Sequence, residues 1–255
     1  MPISSRPVAV VVGASSGIGR QFAFRYAREG YDLVLVARSE KVLSDLAGEL
    51  SDSYKINASA HVADLSSATD VAELVTLVEK LPRLDHMVNS AGSAPEGDLS
   101  RSDADELRSM IDINVSALTL LTRAAVIRMR ADGCGTIINI ASTASYGPNP
   151  YLAAYGASKS YVRMFTEAVH EENRAHGIRI YAVSPGATET PLNPGPDKSK
   201  RQPEQVVDTA WKALTSSTPS VVDGRSNSAV AALAPRLLPK RTGLRLMAKM
   251  LRHKA

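Results

Sequence analysis

Two side chains in the stretch NPYLAAYGASKSYV, residues 149–162, are of types that together do proton chemistry: Tyr155 and Lys159. On a helix, residues four apart share a face. Tyr155 therefore lies one turn from Lys159 and Tyr151 two turns away, while Tyr161 points elsewhere. An ammonium beside a phenol favours the phenolate and draws its pKa from about 10 towards neutrality. A phenol tuned in this way can donate a proton to a carbonyl oxygen. The same spacing also occurs in helices with no such role, so the elements around it have to decide.

Those elements alternate from the start of the chain. Strand-like runs RPVAVVVG, YDLVLVAR, SAHVADL, LDHMVNSAG, GTIINIAS and GIRIYAVSPG are separated by helical periods. The helices run from Ile18 to Glu29, Val42 to Leu50, near Val71 to Leu81, about Asp103 to Arg130, and through the tyrosine stretch. Short apolar strands joined by helices predict βαβ units with right-handed crossovers, hence an α/β doubly wound parallel sheet. TPLNPGPDKSKRQPEQ, Pro-rich and charged, reads as a loop rather than a domain linker.

Composition bounds the rest. With 255 residues the chain suits one α/β domain. Its one cysteine excludes an internal disulfide framework and fits a reducing compartment. Cys134, in DGCG, reads as a bland thiol. The early apolar run VAVVV is too short for a signal-peptide core or a membrane span, and the chain reads as soluble and cytoplasmic. The net charge of +4 hides an asymmetry. Seven Lys/Arg and no acid lie between Arg236 and Lys254, leaving 23 basic and 26 acidic residues elsewhere. The body lacks the basic, aromatic-interleaved pattern of a nucleic-acid binder. His61, His86, His170 and His176 lack metal-ligand spacing, and no metal is implied.

After the first strand comes GASSGIG, with Gly13, Gly17 and Gly19. Glycines there permit a tight turn and close backbone approach, and a helix N-terminus offers unpaired N–H groups to a pyrophosphate. Ser15 and Ser16 can add hydroxyl contacts. A carboxylate ending the second strand would bond a ribose hydroxyl and repel a 2′-phosphate, whereas an Arg does the opposite. That strand ends in Ala37 and Arg38, so the expected dinucleotide is NADP(H); a solvated surface charge is the plainer reading of Arg38. Asp64, ending the third strand, accepts from an adenine amino group, caps the helix beginning near Ser66, or does both.

Taken in order, these motifs resemble those of the short-chain dehydrogenase/reductase family. GASSGIG matches its glycine motif. NSAG at 89–92 matches its Asn-Asn-Ala-Gly with Ser90 at the second position. Asn114, Ser142, Tyr155 and Lys159 fall where the family carries its catalytic tetrad, and Pro185, Gly186 and Thr190 carry its Pro-Gly-x-x-x-Thr element. The resemblance implies a single Rossmann-like domain with a mostly parallel seven-stranded sheet ordered 3-2-1-4-5-6-7. It implies Tyr155 as acid, and Lys159 as lowering the phenol pKa and bonding the ribose. It also implies Ser142 as orienting the carbonyl, and Asn114 as holding a water that connects Lys159 to solvent. Ile18, Leu65, Asn89, Ala91, Gly92, Thr188 and Thr190 join the implied dinucleotide contacts, the two threonines facing the nicotinamide carboxamide. Plainer readings stand beside these: Asn114 as a satisfied buried amide, and Ser142 as one turn hydroxyl among several, with Ser145 its nearest rival. Tyr151 and Tyr146 are candidates for the substrate pocket wall.

Residues 1–235 thus read as one dinucleotide-binding and catalytic domain with a substrate loop at about 187–204. Residues 236–255 read as a basic amphipathic tail. Arg241, Arg245, Lys249 and Arg252 gather on one side of its helical wheel, which reads first as a packed terminal helix with its charges in water. A membrane-surface contact, or attraction of an anionic substrate, is the less favoured alternative. The expected function is an NADP(H)-dependent reductase of a ketone or aldehyde on a hydrophobic body, such as a 3-oxoacyl group. It would be reversible as an alcohol dehydrogenase, and the resemblance implies a homodimer or homotetramer built on the long helices. A non-catalytic NADP(H)-binding regulator and isomerase or lyase chemistry are the alternatives.

Overall fold

Alternate residues of the strands face opposite sides of one sheet, and both sides are covered. The computed structural model describes residues 6–195, 199–225, 227–228 and 240–251. Seven strands, β1 (Val8–Val12), β2 (Asp32–Ala37), β3 (Ala58–Val62), β4 (His86–Asn89), β5 (Gly135–Ile140), β6 (Ile178–Ser184) and β7 (Ser220–Val222), pair in parallel. Their order is 3-2-1-4-5-6-7, as expected. Ala9, Val11, Leu35, Ile138 and Val183 pack under α1 (Gly17–Arg28), α2 (Glu40–Tyr54) and α7 (Pro203–Ala213). Val10, Val12, Val36, Ile137 and Ile180 pack under α3 (Ala68–Lys80) and α5 (Leu118–Asp132) on the other side. Burial on both faces is why these strands read as unbroken apolar runs rather than alternating ones.

The single helix expected from about Asp103 to Arg130 is three segments in one continuous run. It comprises α4 (Ala104–Ile111), a π-helical turn (Asp112–Ala117) and α5. By length and apolar content this run could cross a membrane. Its Leu121, Ala124, Ala125 and Met129 are instead buried against the sheet.

The tyrosine helix, α6 (Ala153–Asn173), begins two residues after Tyr151. Tyr151 has φ 66, outside helical geometry, so it does not share the Tyr155–Lys159 face. Helical spacing was the wrong ruler there, because the chain enters α6 through Pro150 and a left-handed residue. The C-terminal helix α8 (Lys240–Leu251) has Gly243, Leu244, Met247, Ala248 and Leu251 partly buried, while Arg241, Arg245 and Lys249 are exposed. Residues 229–239 and Arg252 lie outside the described residues.

At the N-terminal rim of the sheet, His86 is enclosed by aromatic rings. Its Nδ1 and Nε2 lie 2.9 Å and 3.4 Å from the hydroxyls of Tyr26 and Tyr31. Trp211 meets Tyr26 edge-on at 5.2 Å. Burial disfavours the imidazolium and lowers the His86 pKa to about 4, against a weaker opposing field from Asp85. An unfolded chain takes up this proton near pH 6.5, whereas the folded one holds it off until about pH 4. Stability is therefore lost as pH falls through that window, by about 2 kcal/mol at pH 4.5 after allowing for residual solvent access. His86→Gln should flatten the decline in melting temperature between pH 7 and 4.5 by several degrees. Parallel declines in variant and parent would refute the assignment.

Candidate active site

Asn114, Tyr155 and Lys159 come from helices, and the other residues singled out as chemical gather at or just past the C-terminal ends of strands. Gly13 follows β1, Arg38 follows β2, Asn89 ends β4, Ser142 follows β5 and Pro185 follows β6. In an open sheet of this order the crevice lies at that rim, where the winding reverses between β1 and β4.

The glycine loop is shaped by contact as well as by conformation. Gly13 has φ 84, and a Cβ there would stand 2.6 Å from the Ala91 nitrogen. On Gly19 it would stand 2.1 Å from the Gly13 carbonyl, and on Gly17 2.9 Å from Thr190 Cγ2. The loop thus seats against the segment after β4 and the segment after β6 at once. Ser16 is the N-cap of α1 but makes no side-chain capping bond, and the first turn carries no acid. Such an end, with no capping side chain and no acid in its first turn, fits a dinucleotide pyrophosphate.

At the adenosine end, Arg38 is exposed just past β2. Asp64 accepts from Ser66 N at 2.9 Å and Ser66 Oγ at 2.8 Å. Those two bonds hold its pKa below the usual carboxylate value, and the nearby Arg38 charge adds to the effect. The cap of α3 is Ser67, which accepts from Asp70 N. Asp64 therefore closes the turn ahead of the helix and does not cap the helix itself, a correction to the expectation. Leu65 beside it is buried. The Asn89 side chain is turned into the sheet, donating to Asn139 Oδ1 at 2.8 Å and Thr122 Oγ1 at 3.2 Å. What this position can offer a dinucleotide is backbone.

The tetrad residues converge. Ser142 caps the short 3₁₀ turn Thr143–Tyr146, accepting from Ala144 N at 3.1 Å, and its hydroxyl stands near enough to Tyr155 to lower the phenol pKa. Ser145, its rival, is buried with no partner for its hydroxyl. Lys159 is only 4 % exposed, and its Nζ donates to the Ile140 carbonyl at 3.0 Å, which ties α6 to the end of β5. Nζ lies 5.9 Å from the Tyr155 ring centroid. Burial lowers the Lys159 pKa to about 8.

The tyrosine departs from expectation. Its pKa is raised by burial, with the Ser142 hydroxyl lowering it and the Glu96 charge raising it; the Lys159 ammonium is not among the causes. Four-residue spacing brings the pair together, but Lys159 is engaged by a carbonyl and desolvation of the phenol dominates. At neutral pH Tyr155 keeps its proton.

Asn114 is fully buried on the π-helical turn. It accepts from Ser93 N at 3.0 Å and donates to Ser93 O at 2.9 Å and Ser158 Oγ at 3.0 Å. A Cβ on Gly92 would come within 3.3 Å of Asn114 Oδ1 and 3.4 Å of Lys159 Nζ. The widened turn thus sets Asn114 beside Gly92 and Lys159, and π turns recur at functional sites for such reasons.

Beyond Pro185 and Gly186, Thr188 is buried with its hydroxyl donating to the Gly186 carbonyl at 3.0 Å. A cavity of about 180 Å³ opens between the segment after β4 and the start of α6. Pro95, Leu99, Leu107, Tyr151, Ala154 and, from α8, Ala248 line it. Tyr151 thus belongs to a wall despite lying outside the helix. Tyr146 instead lies under the Arg163 guanidinium at 4.7 Å. A larger cleft of about 370 Å³ lies at the opposite rim. Its Asp32 already accepts from Asn57, which leaves no evident chemistry there.

Two residues with roles in this geometry carried no motif: Asp223, fully buried after β7, and its partner Arg201. An acid directly after the last strand was the available signal.

Known proteins resemble the chain over most of its length. The family described as short chain dehydrogenase matches residues 7–201. An uncharacterized oxidoreductase of Staphylococcus epidermidis is 31 % identical over 211 residues, covering 82 % of this chain and 90 % of its own. A very-long-chain 3-oxoacyl-CoA reductase of Anas platyrhynchos is 32 % identical over 208 residues, 79 % of this chain and 67 % of its own. Among solved structures, a short-chain dehydrogenase from Sphingobium yanoikuyae in complex with NADPH superposes with a TM-score of 0.83 and 32 % identity. It covers 93 % of this chain and 94 % of that one.

Proposed function

Since the chain belongs to the short-chain dehydrogenase family, we propose that it is an NADP(H)-dependent reductase of a ketone or aldehyde carried on a hydrophobic body. The coarser statement needs no proposal: it is an NAD(P)-dependent oxidoreductase acting on alcohol or carbonyl groups. The observation that carries the finer reading is the Ser142–Tyr155 hydroxyl pair beside buried Lys159, set on the same rim as an uncapped, acid-free helix N-terminus.

In this reading the glycine loop, Arg38, Asp64, Leu65, the backbone of Asn89 to Gly92, and Pro185 to Thr190 would hold NADP(H). Bound there, NADPH supplies the hydride. Ser142 would donate to the substrate oxygen and fix its direction. Tyr155 would give that oxygen its proton, and a phenol that keeps its proton at neutral pH is loaded for reduction rather than oxidation. Lys159, anchored on Ile140, would bond the ribose. Asn114, its amide committed to Ser93 and Ser158, would hold the backbone of Gly92 and Ser93 beside Lys159. The Anas relative supports an acyl chain as the hydrophobic body, and the apolar lining of Pro95, Leu99, Leu107 and Ala248 suits one.

The domain reading follows: residues 1–235 form the catalytic unit. The tail adds α8, which packs as a terminal helix and contributes Ala248 to the pocket wall. Ile111, Leu120, Ile127, Tyr161 and Met164 are exposed apolar residues on α4, α5 and α6. They support a homodimer or homotetramer through these helices. Sedimentation equilibrium should give a multiple of 27.2 kDa; the mass of one chain would sink this part of the proposal.

The reductase reading is tested by NADPH consumption across carbonyls running from small aldehydes through aromatic ketones to long 3-oxoacyl thioesters. Turnover concentrated in one hydrophobic class is expected. Tight NADPH binding without turnover on any of them would point instead to a cofactor-sensing protein.

A further inference from the structure

Between β6 and α7 the chain leaves the sheet at Ser184 and returns at Arg201, and both ends of this excursion are tied to one buried carboxylate. Asp223 is 0 % exposed. Its N–H donates to the Ser184 carbonyl at 3.0 Å. Its carbonyl accepts from Asn227 Nδ2 at 2.8 Å, and that amide sits against Gly186, where a Cβ would meet Nδ2 at 2.3 Å. Its carboxylate accepts from Arg201 Nε at 2.5 Å and Nη2 at 3.1 Å, and from Thr209 Oγ1 on α7 at 2.5 Å.

Arg201 passes the constraint on. Its N–H donates to the Ala187 carbonyl, and its own carbonyl accepts from Glu189 N, each at 2.9 Å. Thr188 is thereby bridged in parallel to Arg201. Two residues on, Thr190 Cγ2 rests on Gly17 of the glycine loop. A continuous set of contacts runs from Asp223 through Arg201 to the two threonines and ends at the dinucleotide crevice.

Asp223 is buried while the Arg201 side chain is 30 % exposed. An ion pair that desolvates one carboxylate is a poor stabiliser beside an apolar pair of the same size, so stability alone does not account for this one. What it supplies is direction: a guanidinium fork accepted by two carboxylate oxygens fixes the plane and register of both partners. We propose that Asp223 and Arg201 are positioning residues that hold residues 185–190 at the nicotinamide end of the cofactor site. This inference rests on the reading of that site as dinucleotide-binding.

The test is direct binding. NADPH is titrated by its own fluorescence, and adenosine 2′,5′-bisphosphate, which lacks the nicotinamide half, by calorimetry. The proteins compared are the parent, Arg201→Met, Asp223→Asn and the double variant. Each single change should weaken NADPH about tenfold, the order expected for a charge-assisted bond. The double variant should be no weaker than the singles, and the bisphosphate should bind all four alike. Folded variants with unchanged NADPH affinity would overturn the proposal, as would equal weakening of both ligands or additive single effects. A parent that binds neither ligand would overturn the cofactor reading itself, and this inference with it. Should Asp223→Asn not fold, Arg201→Lys, which keeps the charge without the fork, and Thr209→Val take its place. A threefold loss for NADPH alone is then expected, and equal affinities would overturn the proposal.

Discussion

Tyr155→Phe should lower kcat by about 10²–10⁴ while leaving the NADPH dissociation constant within about threefold of the parent, since the variant removes a positioned general acid and little else. The Ser142 hydroxyl beside the phenol keeps its own bond from Ala144 N in the variant, so the orienting group stays in place. Because burial keeps the phenol protonated, the parent's reductive rate should hold from pH 6 to 8 and fall above it. Lys159, with its pKa lowered to about 8, loses its charge there first. Residual activity above a tenth of the parent's would remove Tyr155 as the acid.

Arg38→Asp should move the preference between NADPH and NADH by about 10²–10³ in kcat/KM. A guanidinium bonded to a 2′-phosphate is worth about 1.5–3 kcal/mol, and an acid in its place both repels the phosphate and accepts from the ribose hydroxyl. Arg38 is exposed and near Asp64, so the substitution gathers two carboxylates at the ends of β2 and β3. The fold should tolerate this, because neither group is buried. A ratio unchanged within threefold would show Arg38 to be only a solvated surface charge.

What could be read from the sequence was whatever depends on short spacing or on strand ends. GASSGIG after the first apolar run, the parallel doubly wound sheet and the Tyr155–Lys159 pair depend on residues within a turn of each other or on the alternation of elements. The strand order and Ser142 were legible only through the family resemblance. Contacts that bridge the sheet were not legible. The rise in the Tyr155 pKa comes from how deeply the fold encloses it, which no local pattern encodes. The π-helical turn under Asn114 differs from its flanking helices by one hydrogen-bond register, and hydrophobic spacing does not resolve that. Tyr151 misled because four-residue arithmetic holds only inside a helix, and α6 begins later than the arithmetic assumes. Arg201 and Asp223, 22 residues apart, meet only once β7 lies beside β6.

The enclosure of His86 has a practical consequence. Trp211, which meets Tyr26 in the same aromatic group and lies under the Arg25 guanidinium at 4.4 Å, is the chain's sole tryptophan. Its intrinsic emission therefore originates at the rim opposite the glycine loop, on the last turns of a helix whose first residues follow Arg201. Emission excited at the indole band is a built-in optical gauge of whether α1 and α7 remain docked. Fluorescence excited at the nicotinamide band gauges occupancy at the other end. One cuvette then separates a variant that has come apart from one that has only stopped holding its cofactor, without a label on either end.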